Sequence, residues 1–254
     1  MIRQFKILYK LVMPLLSVLL LTCTRDNPTT PNLDYESEIV VFGLLLMTER
    51  DSGQQKTVRI ERSYKVTDYL PDYPEDRAIK DALVYVESRN QRVKFEHLFA
   101  STYSDVEEKL QLVPGELYTL NITLTDGHKI TSQCLMPDRP TILFPTANTP
   151  VKAYQPLTVQ WEHARFAHRY QIAIEDNVDG FQFSILSDSD QEELYAFLFA
   201  RPNHYILKVA SLDQNYYDYL RSRSNREPIL RIDGALGVFG AIVYDRERFV
   251  AVTQ

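Results

Sequence analysis

Cysteine is almost missing from this 254-residue chain, and Cys23 and Cys134 allow one bridge at most, which excludes a disulfide-stapled scaffold. Glycine is scarce too, at 8 residues without a period, so a collagen-like repeat is excluded. No apolar run approaches the roughly 20 residues needed to cross about 30 Å of hydrocarbon as a helix, which argues against a polytopic membrane protein. Basic charge is in deficit: 28 Lys and Arg face 34 Asp and Glu, for a net charge of -6. Three of the bases, Arg3, Lys6 and Lys10, lie in the first 22 residues beside no acid, so the remainder is more acidic still. Nucleic acid is therefore not expected as a partner. What the chain does have is 44% hydrophobic and 11% aromatic residues, enough for one large all-β domain or two smaller ones.

Residues 1–22 read as an export signal. MIRQFKILYK carries the positive charges, and the uncharged run from Leu11 to Thr22 is too short, and too interrupted by Pro14, to span a bilayer. The run ends in Leu20-Leu21-Thr22-Cys23, which resembles a bacterial lipobox. That resemblance implies a diacylglyceryl thioether on Cys23, cleavage before it and acylation of its amine, a membrane anchor in which each buried methylene contributes about 0.8 kcal/mol. Residues 23–37 then read as the lipidated cysteine and a Thr/Pro/Asn/Asp-rich tether. As a flexible coil it reaches roughly 20 Å.

From residue 38 onward, short runs rich in β-branched and aromatic residues alternate with turn signals about every ten residues, the pattern of β-sandwiches. Tyr118, Leu120, Ile122 and Leu124 alternate with polar residues, so one face is apolar. Asp126-Gly127 then marks a hairpin. Pro137 and Pro140 interrupt the pattern and place a boundary: a first sandwich over 38–138 and a second over 139–254. In the second, Trp161 and the alternation of Tyr170, Ile172 and Ile174 predict core positions. Asp213 is placed to cap a short helix through Arg223, whereas residues 191–200 fit either a helical crossover or a strand. The expected fold class is all-β, two consecutive sandwiches with one short helix.

The succession of the lipobox, Ile39-Val40-Val41-Phe42-Gly43-Leu44, Asp81-Ala82-Leu83-Val84-Tyr85-Val86, Pro114-Gly115-Glu116-Leu117-Tyr118 and Met136-Pro137 resembles the Bacteroidota outer-membrane lipoproteins grouped as domain of unknown function 4249. Tyr216-Tyr217-Asp218-Tyr219-Leu220 and Gly237-Val238-Phe239-Gly240-Ala241 are similar to that family's later signature. The resemblance implies an outer-membrane or cell-surface location beside TonB-dependent transporters, and it brings no catalytic residue with it. The first half also resembles transthyretin-like and carboxypeptidase-regulatory-like sandwiches, and the second is expected to be Ig- or fibronectin-like.

No nucleophile elbow, zinc motif or dinucleotide fingerprint is present, so neither an enzyme nor a cofactor is expected; Gly234 to Gly240 sits within a strand run, where glycine allows a bulge or a close backbone approach. His163 and His168 read as part of a solvated turn, and Cys134 as a small strand residue. The acidic run 188–193 is read as the start of a helix, with a cation-binding loop as the alternative. Tyr216, Tyr217 and Tyr219, together with Tyr69 and Tyr73 of an acidic loop, are candidate contacts for a ligand or partner. The expectation is a lipid-anchored, non-enzymatic envelope protein that assists an outer-membrane transporter or mediates protein contacts. The alternative is a surface lipoprotein that binds glycan or peptide.

Overall fold

The computed structural model describes residues 36–48, 54–64, 77–147, 149–176 and 180–253. Cys23, Tyr69 and Tyr73 lie outside them. In chain order the strands begin with β1 (Ile39–Met47), β2 (Gln55–Arg62), β3 (Leu83–Glu87), β4 (Arg92–Phe99), β5 (Thr102–Ser104), β6 (Leu117–Thr123) and β7 (Lys129–Leu135). They continue with β8 (Thr141–Phe144), β9 (Pro150–Lys152), β10 (Leu157–Glu162), β11 (Arg169–Asp176), β12 (Gln182–Ser187), β13 (Gln191–Leu194) and β14 (His204–Leu212). Helix α1 (Gln214–Ser222), β15 (Leu236–Tyr244) and β16 (Arg248–Thr253) complete the order. The architecture is all-β, with one α-helix among the described residues.

One hydrogen-bonded path runs β12-β11-β14-β15-β1-β2-β5-β4-β3-β6-β7, and a separate three-stranded sheet runs β13-β10-β8. Strands β1 to β7 curl around a first core that contains Val41, Ile60, Phe95, Tyr103, Tyr118 and Ile130. The three-stranded sheet packs on β11, β14, β16 and β9 around a second core that includes Trp161, Tyr170, Ile172 and Ile174, as their alternation predicts.

Strand β15, read from sequence as part of the second sandwich, instead pairs with β1 in parallel, with Phe42 opposite Val238 and Leu45 opposite Ala241. Its Phe239, Ala241 and Val243 complete the first core. The reason lies in β1. Val41 and Leu45 face that core, whereas Phe42, Leu44 and Leu46 face the opposite side, so this strand must be flanked and covered on both faces. A parallel partner cannot come from a tight hairpin, so it arrives from far along the sequence. Strand β14 of the second half pairs with the end of β15, Ala210 opposite Tyr244, and thereby joins the two halves through one sheet.

Aromatic hydroxyls fasten loops to both cores. Tyr118 Oη accepts from Val113 N and donates to Gln111 O, both at 2.8 Å. Tyr103 Oη donates to Ile79 O at 2.9 Å, and Tyr170 Oη accepts from Ala164 N at 2.9 Å. Each is a buried ring whose polar tip anchors a chain segment a few to some twenty residues upstream.

Candidate functional site

The family-like signature resolves into a structural joint. Asp213 caps α1: its carboxylate accepts from Asn215 N (3.3 Å) and Tyr216 N (2.9 Å), and also from Ala241 N of β15 (3.0 Å). Burial pushes the Asp213 carboxyl up to about 7, against the opposing pull of these backbone donors. Asn215 Nδ2 donates to Gln133 O of β7 (2.7 Å) and Phe239 O of β15 (2.8 Å), so one amide ties two strands that do not pair with each other. Two glycines permit this closeness. A Cβ on Gly240 would sit 2.7 Å from Tyr216 Cβ, and one on Gly237, whose φ is +115°, would sit 1.9 Å from Val41 O. Further along α1, Asp218 pairs with Arg231 at 2.7 Å.

The helix tyrosines are half-buried here. Tyr216 and Tyr219 stack on each other at 6.3 Å and both meet the edge of Phe42, while Tyr217 meets His168 at 5.2 Å. Tyr216 and Tyr217 pack onto the apolar outer face of β1, β14 and β15. They are brought together as cover for the sheet, not as a free platform. Cys134 is buried in the first core, where burial raises its thiol well above the usual range. The acidic run forms a turn and then strand β13 rather than a helix start, because β10 offers a ladder partner, Leu157 opposite Leu194. Among the described residues no group of three or more His, Cys, Asp or Glu is placed to hold a metal ion.

Two surface features went unread in the sequence. The first is a groove of about 1000 Å³ at the joint of the halves, lined by Leu46, Ala173, Tyr244 and a charge cluster. There Lys208 Nζ lies 2.8 Å from Glu175 and 3.3 Å from Glu247. Burial pulls the Lys208 ammonium down, but the two carboxylates more than offset this and hold it above its ordinary value. These charges satisfy one another.

The second is an aromatic cluster on the second half. Tyr195 and Phe197 stack at 5.6 Å, and Phe183 meets both edge-on at 6.3 and 6.5 Å. Tyr195 is 58% and Phe197 64% exposed, where a core reading would require burial. The cluster gathers the start of β12 and the residues that follow the end of β13. Its sequence signal was the Tyr-x-Phe spacing inside the ambiguous 191–200 stretch.

Comparison with known proteins adds the family. The model described as Domain of unknown function (DUF4249) matches residues 26–248. The chain belongs to this family. For a DUF4249 protein, the pieces Tyr216 to Leu220 and Gly237 to Ala241 are thus part of the matched span and also the parts that lock α1 onto β15. No curated protein matches the chain. Among solved structures, it is similar to a two-domain fibronectin type-III segment of chicken tenascin (12% identity, 62% of this chain and 84% of that one, TM-score 0.25). It is also similar to the fibronectin(III)-like modules of Clostridium thermocellum CbhA (11%, 84% and 92%, TM-score 0.26). The FN1-FN3 domains of chicken CNTN1 are a third (11%, 84% and 66%, TM-score 0.33).

Proposed function

We propose that this DUF4249 protein is a lipid-anchored, non-enzymatic component of the bacterial cell envelope, held at the outer membrane through Cys23, that works by contacting a neighbouring macromolecule. A TonB-dependent transporter is the partner the reading favours. The observation that carries it is the exposed Phe183–Tyr195–Phe197 cluster. Its Tyr195 and Phe197 rings are exposed, and rings of this kind act as contact anchors. The lipobox-like Leu20-Leu21-Thr22-Cys23 supplies the anchoring half of the argument. A photoreactive phenylalanine analogue at Phe197, irradiated in intact envelopes, tests the contact. The expected product is a discrete adduct with an integral outer-membrane protein; a chain that yields no adduct in native envelopes contradicts the reading.

A glycan- or peptide-binding role is the second reading, and one observation favours it: the exposed, stacked rings of Tyr195 and Phe197 offer faces to a ligand that the half-buried helix tyrosines do not. Glycan-array binding that disappears in Tyr195→Ala would select it.

A further inference from the structure

Sheet edges expose unpaired N–H and C=O groups, and stable proteins guard them with charge, proline or cover. Here the edges differ. Strand β13 carries Glu192 and Glu193, and β9 begins at Pro150 and ends at Lys152. Strand β8 lies between Pro140 and Pro145, and its Ile142 N–H donates to Asp245 at 2.8 Å. Strand β7 is covered by the Asn215 amide and by the Thr131–Asp233 bridge. Among the described residues β12 alone is unguarded: Gln-Phe-Ser-Ile-Leu-Ser holds no charge and no proline, and it ends the long sheet.

The orientation of its free groups follows from one bond. Asp176 N donates to Phe181 O at 2.8 Å, so in this antiparallel pair residues 181, 183, 185 and 187 bond to β11. Gln182, Ser184 and Leu186 therefore turn their backbone groups outward. On the core side of the same strand, Phe183 and Ile185 are only partly buried, because nothing continues the sheet beyond them. Tyr195 and Phe197 extend that apolar margin. Exposed carboxylates of Asp188 and Asp190 follow the strand, with Glu192 and Glu193 on the facing edge, in a chain of net charge -6.

We propose that β12 receives an extended segment of another protein as an added strand, apolar at alternate positions so that its side chains settle against Phe183, Tyr195 and Phe197, and basic at its ends to meet the flanking acids. A second copy of this chain is the poorer occupant, since its own β12 and the residues that flank it hold no Lys or Arg to meet these acids. The proposal rests on the contact reading above and supplies its surface.

The probe is a nine-residue peptide alternating Val and Thr with Lys at both ends, added to the full chain in mild detergent and followed by amide hydrogen exchange. Protection is expected at Gln182, Ser184 and Leu186. A counterpart ending in Glu should bind about tenfold more weakly. Ser184→Pro removes an outward N–H without touching the ladder to β11, so it should abolish protection and leave the melting curve unchanged. Phe197→Ser, which leaves the backbone intact, should weaken the Lys-ended peptide. Unchanged exchange at millimolar peptide overturns the proposal, as does equal binding by Ser184→Pro. A wild-type dimer that Ser184→Pro dissolves overturns it too, by making a second copy the occupant. An envelope adduct at Phe197 that persists in Ser184→Pro sinks the strand-addition proposal and leaves the contact reading standing. Loss of every adduct beside intact peptide binding does the reverse.

Discussion

Asp213 shows how much a single carboxyl does in this fold. It is 3% exposed, caps α1 and holds Ala241 of β15 through both its carboxylate and its own N–H, which donates to Ala241 O. Its pKa in the folded chain, about 7, lies above the ordinary value near 4, so the native state holds the proton more tightly. The associated stability is complete below about pH 4 and is lost as pH rises through about 7. Urea unfolding of wild type and Asp213→Asn between pH 4 and pH 8 should therefore show wild type losing ground to the variant as pH climbs; parallel curves would contradict the account. Lys56 illustrates a different economy. Its ammonium reaches Asp105 at 3.2 Å and Leu110 O at 2.8 Å inside the first core, and Asp105 in turn accepts from Lys109 N and Leu110 N. Lys56→Met should destabilise by about 3–5 kcal/mol, because it strands a buried carboxylate, and the measurement is the shift in the urea midpoint at constant m.

At the scale of elements, α1 acts as the clasp of the first sandwich. Asn215→Ala leaves the part-buried Gln133 O and the buried Phe239 O without this donor, and should cost about 1–3 kcal/mol with faster amide exchange along β7. A variant as stable as wild type would show that β7 and β15 need no tie. Much at this scale was legible beforehand, and for local reasons. Tyr118, Leu120, Ile122 and Leu124 all face inward as their period of two requires, and Asp213 caps a helix because its capping bonds span two or three residues. Strands β5, β8 and β9 were not legible, and β13 was so only as one of two readings of 191–200: each has three or four residues and exists through its neighbours' ladders. Gly240 announced only a glycine in a strand, since the backbone it lets close belongs to a helix that precedes it by some twenty residues. Phe183 and the Tyr195–Phe197 pair meet across two sheets, a juxtaposition no window of sequence contains.

For the whole molecule, the decisive feature is that β15 leaves the second half to finish the first. Its ladder with β1 and its junction with β14 make the folding of each half depend on the other. Thermal unfolding is expected as one transition, with calorimetric and van't Hoff enthalpies in agreement; two separable transitions would show that the halves fold alone. Such a coupled body suits the proposed role, in which a lipid anchor on Cys23 holds the chain and β12 with its aromatic margin meets the partner. That use requires the chain to stand on a membrane. Mass spectrometry of the amino-terminal peptide, taken from protein isolated in native envelopes, tests it most directly. The account predicts a chain that starts at Cys23 and carries a diacylglyceryl thioether and an acylated amine. A free thiol at that position, or a peptide that still contains residues 1–22, would contradict it.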